Sequence, residues 1–143
     1  MPIDERAEPA LSLAPILDDL DRYELQATGL KAKKYQILID GEDAAEVSSD
    51  DLAKGCNLAN RAGPVTKQAR EVLAAVFHKN NVFFDRWRNV QLFTFPKWAQ
   101  APEVEAKRTA ELARMDQEIA AVETQINDLR KPKVHHFELR PAD

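Results

Sequence analysis

Between Leu112 and Leu129, six apolar residues alternate at spacings of three and four: Leu112, Met115, Ile119, Val122, Ile126 and Leu129. Only an α-helix brings such positions onto one face. The seam is about three heptads long, so the helix must bury one side against a second helix. It is expected from about Pro102 to Arg130, with Lys131-Pro132 as its stop. A second helical pattern precedes it. Gly63-Pro64 opens that pattern, with proline in the first turn, where an amide has no partner to lose. Val65, Ala69, Val72, Val76, Phe83 and Trp87 make one apolar face, which Phe77 and Phe84 widen. This helix should end near Asn89. The simplest arrangement folds the two helices back on one another as an antiparallel hairpin. A symmetric dimer through the 112–129 seam is the competing one.

The first part of the chain has a different period. Residues 1–21 read as a lead-in whose helices are cut short by Pro2, Pro9 and Pro15. Leu11 to Ala14 and then Ile16, Leu17 and Leu20 are placed to dock as short turns. Tyr23 to Thr28 alternates apolar and polar residues, the period of a half-buried strand, and Gly29 ends it. Lys34 to Ile39 continues with Tyr35, Ile37 and Ile39 on one face. Asp40-Gly41 marks a tight turn, and a strand around Ala44 to Val47 should follow. A short helix starts near Ser49, with Ser48 or Ser49 as its cap and Gly55 at its end. Val134 to Arg140 alternates again. The likeness of Tyr23-Glu24-Leu25 to Phe137-Glu138-Leu139 suggests that these two strands pair.

The expected fold is therefore α+β: a small antiparallel sheet, built as a three-strand meander plus a C-terminal strand, with a long antiparallel helical hairpin. Its segments are a lead-in (1–21), a meander with a short helix (22–60), the hairpin (61–131) and a returning strand (132–143), all within one domain. A chain of 143 residues can hold one real core.

Composition excludes more than it selects. Net charge is −4, which gives no bias toward nucleic acid. Residues 1–57 carry 13 acids against 6 bases, and residues 58–91 carry 2 against 6. Solvated faces of opposite sign explain that. Cys56 is the only cysteine, so no internal disulfide forms, and a small buried hydrophobe is its simplest role. No apolar run reaches the roughly 18 residues that a membrane span requires. The acidic, proline-rich N-terminus is no signal peptide, so the chain as written is expected in the cytoplasm.

No metal or cofactor motif is present. His135 and His136 would point to opposite faces of a strand, and no Cys-x2-Cys, His-x3-His or Gly-x4-Gly-Lys pattern occurs. An enzyme built on His78 with Asp85 or Cys56 is the weakest reading, because no spacing supports it. The residues that stand out lie at the end of the first long helix and in the connector after it: Phe83, Phe84, Arg86, Trp87, Arg88 and Trp98. So many large amphipathic side chains at one helix end must pack on something, and they are the candidate partner-packing set. Stacking of nucleic-acid bases is a minor alternative to packing.

Taken in order, several segments resemble the C-terminal region of bacterial SGNH hydrolases, also called GDSL-type esterases. They are Tyr23 to Leu30, Tyr35-x-Ile37-x-Ile39-Asp40-Gly41, Asp51 to Ala59 with its Gly-x-Asn-Leu-Ala core, Lys79-Asn80 with Phe84, Arg86, Trp87 and Arg88, and Val134 to Leu139. The resemblance implies an accessory part that packs beside a catalytic α/β domain, in cis or in trans. It also implies ester hydrolysis, of acylated carbohydrate, as the parent reaction, with no metal. The catalytic blocks of that family are missing. There is no Gly-Asp-Ser, and Ala75, Pro132 and Lys133 stand three places before the three histidines where aspartate is needed. No catalytic residue carries over, and Asn57 is not assigned to an oxyanion hole. The isolated chain is expected to be inactive. The alternative is a free-standing interaction protein that dimerises through the 112–129 seam, with no membrane or nucleic-acid partner.

Overall fold

The computed structural model describes residues 3, 5–14 and 16–142. Pro2 and Pro15, expected to limit helices, lie outside them. The chain is α+β and forms two compact units: residues 1–70 with 132–143, and residues 71–131.

The first unit is organised around strand β2 (Lys34–Ile39). Strand β3 (Glu42–Ser48) pairs with one edge of β2 and strand β5 (Phe137–Ala142) with the other, both antiparallel. Asp40 (φ 54°) and Gly41 (φ 82°) make the β2–β3 turn. Two successive residues with positive φ give the turn whose twist suits a hairpin, and Gly at the second is the residue that adopts it without strain. A register shift between Ile37 and Leu38 bulges β3. Tyr35, Ile37 and Ile39 are buried with Val47, Leu52, Cys56 and Leu58 in one core cluster. The Tyr35 hydroxyl accepts the amides of Lys31 (3.1 Å) and Ala32 (2.9 Å), which satisfies its polar end.

Helix α2 (Ser49–Lys54) drops Leu52 into that core. Ser48 is its cap and accepts the Asp51 amide at 3.1 Å. The lead-in forms a 3-10 helix (Glu5–Ser12) and a short helix α1 (Ile16–Leu20). It docks less than its apolar residues suggest, since Leu13 and Leu20 are exposed.

Two expectations about strands need correction. Only Glu24–Leu25 (β1) is strand in the Tyr23–Thr28 segment, and it is not part of a meander with β2 and β3. It pairs with β4 (Cys56–Asn57) in a separate two-stranded ribbon. Nor does it pair with β5. Tyr23 and Phe137 do meet, but as tilted rings with centroids 6.3 Å apart. Alternation reports that one side of a segment is buried, not which strand borders it. The β2 edge goes to β5 because Phe137 and Leu139 then join the same core cluster.

The second unit is a helical hairpin. Helix α3 runs Pro64–Asp85, entering from the first unit, and α4 runs Pro102–Leu129. Between them lie one π-helical turn (Arg86–Gln91) and a 3-10 turn (Lys97–Ala99). Lys79 pairs with Glu123 and Arg86 with Asp116, an order that only antiparallel helices allow. On α4, Met115 and Val122 are buried, with Leu112, Ile119, Ile126 and Leu129 half-buried.

The facing side of α3 also needs correction. Ala75 and Val82 are buried, whereas Phe83 and Trp87 are 59% and 43% exposed. The face toward α4 is Ala75, Lys79, Val82 and Arg86, spaced by four, three and four. Phe83 and Trp87 each sit one residue later, about 100° further round the helix. Ala75 and Val82 are buried on this side, and the two cations meet carboxylates of α4.

Val122→Lys would put an ammonium in the hairpin seam with no carboxylate built for it. The variant is expected to lose at least about 3 kcal/mol of stability. It should melt the helical signal at 222 nm early, rather than yield a fully stable folded protein. Chemical denaturation followed by circular dichroism checks this.

Candidate functional site

The aromatic segment turns outward. Phe77, Phe83, Phe84 and Trp87 are 58%, 59%, 54% and 43% exposed, and Trp98 is 88% exposed. Phe84 and Trp87 touch edge to face, with centroids 6.2 Å apart. Beyond the π turn, Phe93 and Phe95 make a second such pair at 5.1 Å. The turn is marked by the Leu92 amide reaching back five residues to the Trp87 carbonyl at 3.0 Å. The Arg108 guanidinium also donates to the Gln91 carbonyl, which ties the turn to α4.

Of the six expected packing residues, Arg86 is committed inside the unit. Its Nε and Nη2 donate to the two Asp116 carboxylate oxygens at 2.6 and 2.9 Å, and Nη1 donates to Gln91 at 2.8 Å. That fork holds the Asp116 carboxyl below, and the Arg86 guanidinium above, its ordinary range. Phe83, Phe84, Trp87 and Arg88 remain on the surface. The Arg88 side chain makes no hydrogen bond or ion pair among the described residues. Trp98 stands on the 3-10 turn, with no ring pairing among the described residues.

The groups considered for chemistry are not assembled. His78 is exposed, and its Nε2 lies 3.5 Å from Glu118, not beside Asp85. Asp85 accepts from Asn89 at 2.9 Å. Cys56 belongs to the sheet core, and burial pushes its thiol up, the opposite of nucleophile activation. Among the described residues, no three His, Cys, Asp or Glu side chains are placed to hold a metal ion. Nor is any helix long and apolar enough to cross a membrane.

Asn57 is the busiest polar side chain in the sheet unit. Its Nδ2 donates to the carbonyls of Leu17 and Asp21, both at 3.2 Å. Its Oδ1 accepts the amides of Tyr23 (3.1 Å) and Ala59 (3.0 Å). An amide spent this way binds the lead-in and β1 to β4 and leaves no donor aimed at a substrate. An open cleft of about 360 Å³ adjoins it, lined by Leu17, Asp18, Cys56, Asn57, Asn60 and Arg61.

One pair was not visible in the sequence. His135 Nδ1 lies 2.7 Å from Asp40 Oδ2, and Asp40 Oδ1 accepts the His136 amide at 2.8 Å. An ionised carboxylate only accepts, so Nδ1 carries the proton. The His135 side chain is 11% exposed, and neither histidine lies within a strand, because β5 begins at Phe137. These two bonds hold the Asp40 carboxyl below its ordinary range, His135 contributing most. The partners are 95 positions apart in sequence, and only the β2–β5 register brings them together.

No family model matches the chain, and no curated protein does. A solved structure does: BT4096, a gut microbial diltiazem-metabolizing enzyme, with a TM-score of 0.69 and 20% sequence identity. The match covers 94% of this chain and 37% of that one, so this chain spans little more than a third of the enzyme's length. At that identity the likeness is one of fold.

Two outcomes follow. Asn57→Ala should cost about 1–3 kcal/mol in urea unfolding, since several backbone groups, three of them partly buried, lose their partner. For Asp40, the folded-state pKa lies below that of the unfolded chain. Its bonds therefore stabilise fully above the unfolded value, about 3.9, and the contribution is lost as pH falls through the lower, folded one. Unfolding free energy should consequently fall more steeply below pH of about 4 in the native protein than in Asp40→Asn, whose amide does not titrate.

Proposed function

We propose that this chain is the non-catalytic accessory part of an esterase of the SGNH, or GDSL, type, packing beside a catalytic hydrolase domain. The observation that carries the reading is the fold match, in which nearly all of this chain resembles about a third of a longer enzyme. The ordered segments from Tyr23 to Leu139 that resemble the C-terminal region of such hydrolases supply the family. The chemistry agrees with a non-catalytic part. His78 faces Glu118, the Cys56 thiol is buried, and Asn57 is consumed by backbone partners. The parent reaction would be hydrolysis of an ester, in acylated carbohydrate, by a serine carried elsewhere.

The purified chain is expected to give no steady-state turnover of p-nitrophenyl acetate above buffer. Turnover that co-purifies with it and persists in the Ser48→Ala, Ser49→Ala double variant would overturn the reading. The genomic DNA beside the Met1 codon gives a second check. A frame with Gly-Asp-Ser early and Asp-x-x-His late supports an esterase, and a neighbouring gene or domain of unrelated chemistry counts against it.

A further inference from the structure

Helix α3, with the π turn that continues it, carries two stripes, not one. The first, Ala75, Lys79, Val82 and Arg86, faces α4. The second is Leu73, Phe77, Asn80, Phe84 and Trp87, spaced four, three, four and three. Each stripe keeps a heptad rhythm, and Phe77 and Phe84 lie two residues after Ala75 and Val82. Two residues are about 200° of helix, so the second stripe looks away from α4. Leu73 is half-buried, and the other four are exposed.

We infer that this second stripe is a self-association surface, on which α3 of a second copy of the chain packs antiparallel about a two-fold axis. Three features of the stripe select that occupant. First, its order is nearly the same from both ends: large apolar, Phe, Asn, Phe, large apolar. An isologous contact requires such self-complementarity. With the two-fold at Asn80, Phe77 meets the partner's Phe84, and Leu73 meets the partner's Trp87.

Second, the stripe carries no charge, and the unpaired Arg88 flanks one end of it. Antiparallel order puts the two Arg88 groups at opposite ends, whereas parallel order would put them side by side. One free cation is too few to hold a nucleic-acid backbone. The amides of Asn80 and Asn81 are costly in a lipid interior but tolerable at a protein interface, where one polar layer fixes the register.

Third, the area suffices. Whole aromatic side chains bury about 150–250 Å² each, so the exposed fractions of Phe77, Phe83, Phe84 and Trp87 leave roughly 450 Å² per copy to cover. Doubled, and with the flanking Leu73, Asn80, Asn81 and Arg88, this approaches the ~1,200 Å² at the lower edge of specific interfaces. An interface at that lower edge is sought at micromolar concentrations and above. The inference stands independently of the esterase reading.

Sedimentation velocity and equilibrium on the whole chain, from about 1 to 200 µM, test it. The expected result is a reversible monomer–dimer equilibrium. Phe84→Glu, and separately Asn80→Glu, should raise the dissociation constant roughly 30-fold or more while circular dichroism stays native. Asn80 is exposed in the single chain, so its variant serves if Phe84→Glu fails to fold. A chain that stays monomeric across the range overturns the inference and leaves the stripe to another partner. So does a dimer that Asn80→Glu leaves intact, because the contact would then lie elsewhere. Neither result bears on esterase turnover.

Discussion

Strand β2 is the constraint on which the sheet unit rests. Both of its edges are paired, with β3 on one side and β5 on the other, and Tyr35, Ile37, Leu38 and Ile39 are all buried. A central strand with buried side chains admits no slippage, because a one-residue shift would turn Ile37 and Ile39 to the opposite face. The turn at Asp40 fixes one neighbour. The same residue's carboxylate, through His135 and the His136 amide, fixes where the other begins. One aspartate therefore sets register on both edges. Asn57 does similar work for the ribbon below, with bonds to four backbone groups that would otherwise be loose loop.

What could be read from the sequence was what is local. The Asp40-Gly41 turn, the Ser48 cap, Pro64 at a helix start and the span of α4 all depend on residues within a few positions of one another. The failures share a cause. Alternation in Tyr23–Thr28 shows a half-buried segment, but its true partner, β4, is chosen by distant packing around Leu52 and Leu58. On α3, hydrophobicity ranks Phe83 and Trp87 above Ala75 and Lys79, so a single apolar face drawn through the strongest residues merges two stripes. The face that meets α4 is made of a small residue, a valine and two cations, and it is recognisable only beside Glu123 and Asp116 of α4. In the candidate packing set, Phe83 and Trp87 lie on the surface rather than on the face toward α4, and the internal role of Arg86 needed a carboxylate that lies 30 residues away.

Asn57 is bonded to backbone, Asp85 to Asn89 and Asp40 to His135, and the exposed His78 ring lies 3.5 Å from Glu118. The apolar groups are the reverse: among the described residues, six large rings on the hairpin and its connector are exposed. Exposed aromatic surface of that extent is the kind that marks an interaction site.

The route of the chain through the first unit carries a further consequence. A Cβ at Gly63 would lie 3.6 Å from the Ile39 side chain, and His135 bonds to Asp40, so the chain departs for the hairpin and returns at the same end of β2. The hairpin is thus an excursion in sequence between two points of the first unit. During synthesis β2 and β3 emerge early, but β5 follows only after the whole hairpin has been made. Until then one edge of β2 is an open row of amides and carbonyls, the kind of edge to which a foreign strand can add. The local contacts of α3 with α4 let the excursion collapse on itself meanwhile. The last step of folding is then a closure by residues 135–142, and a chain stopped short of them would carry an unprotected sheet edge.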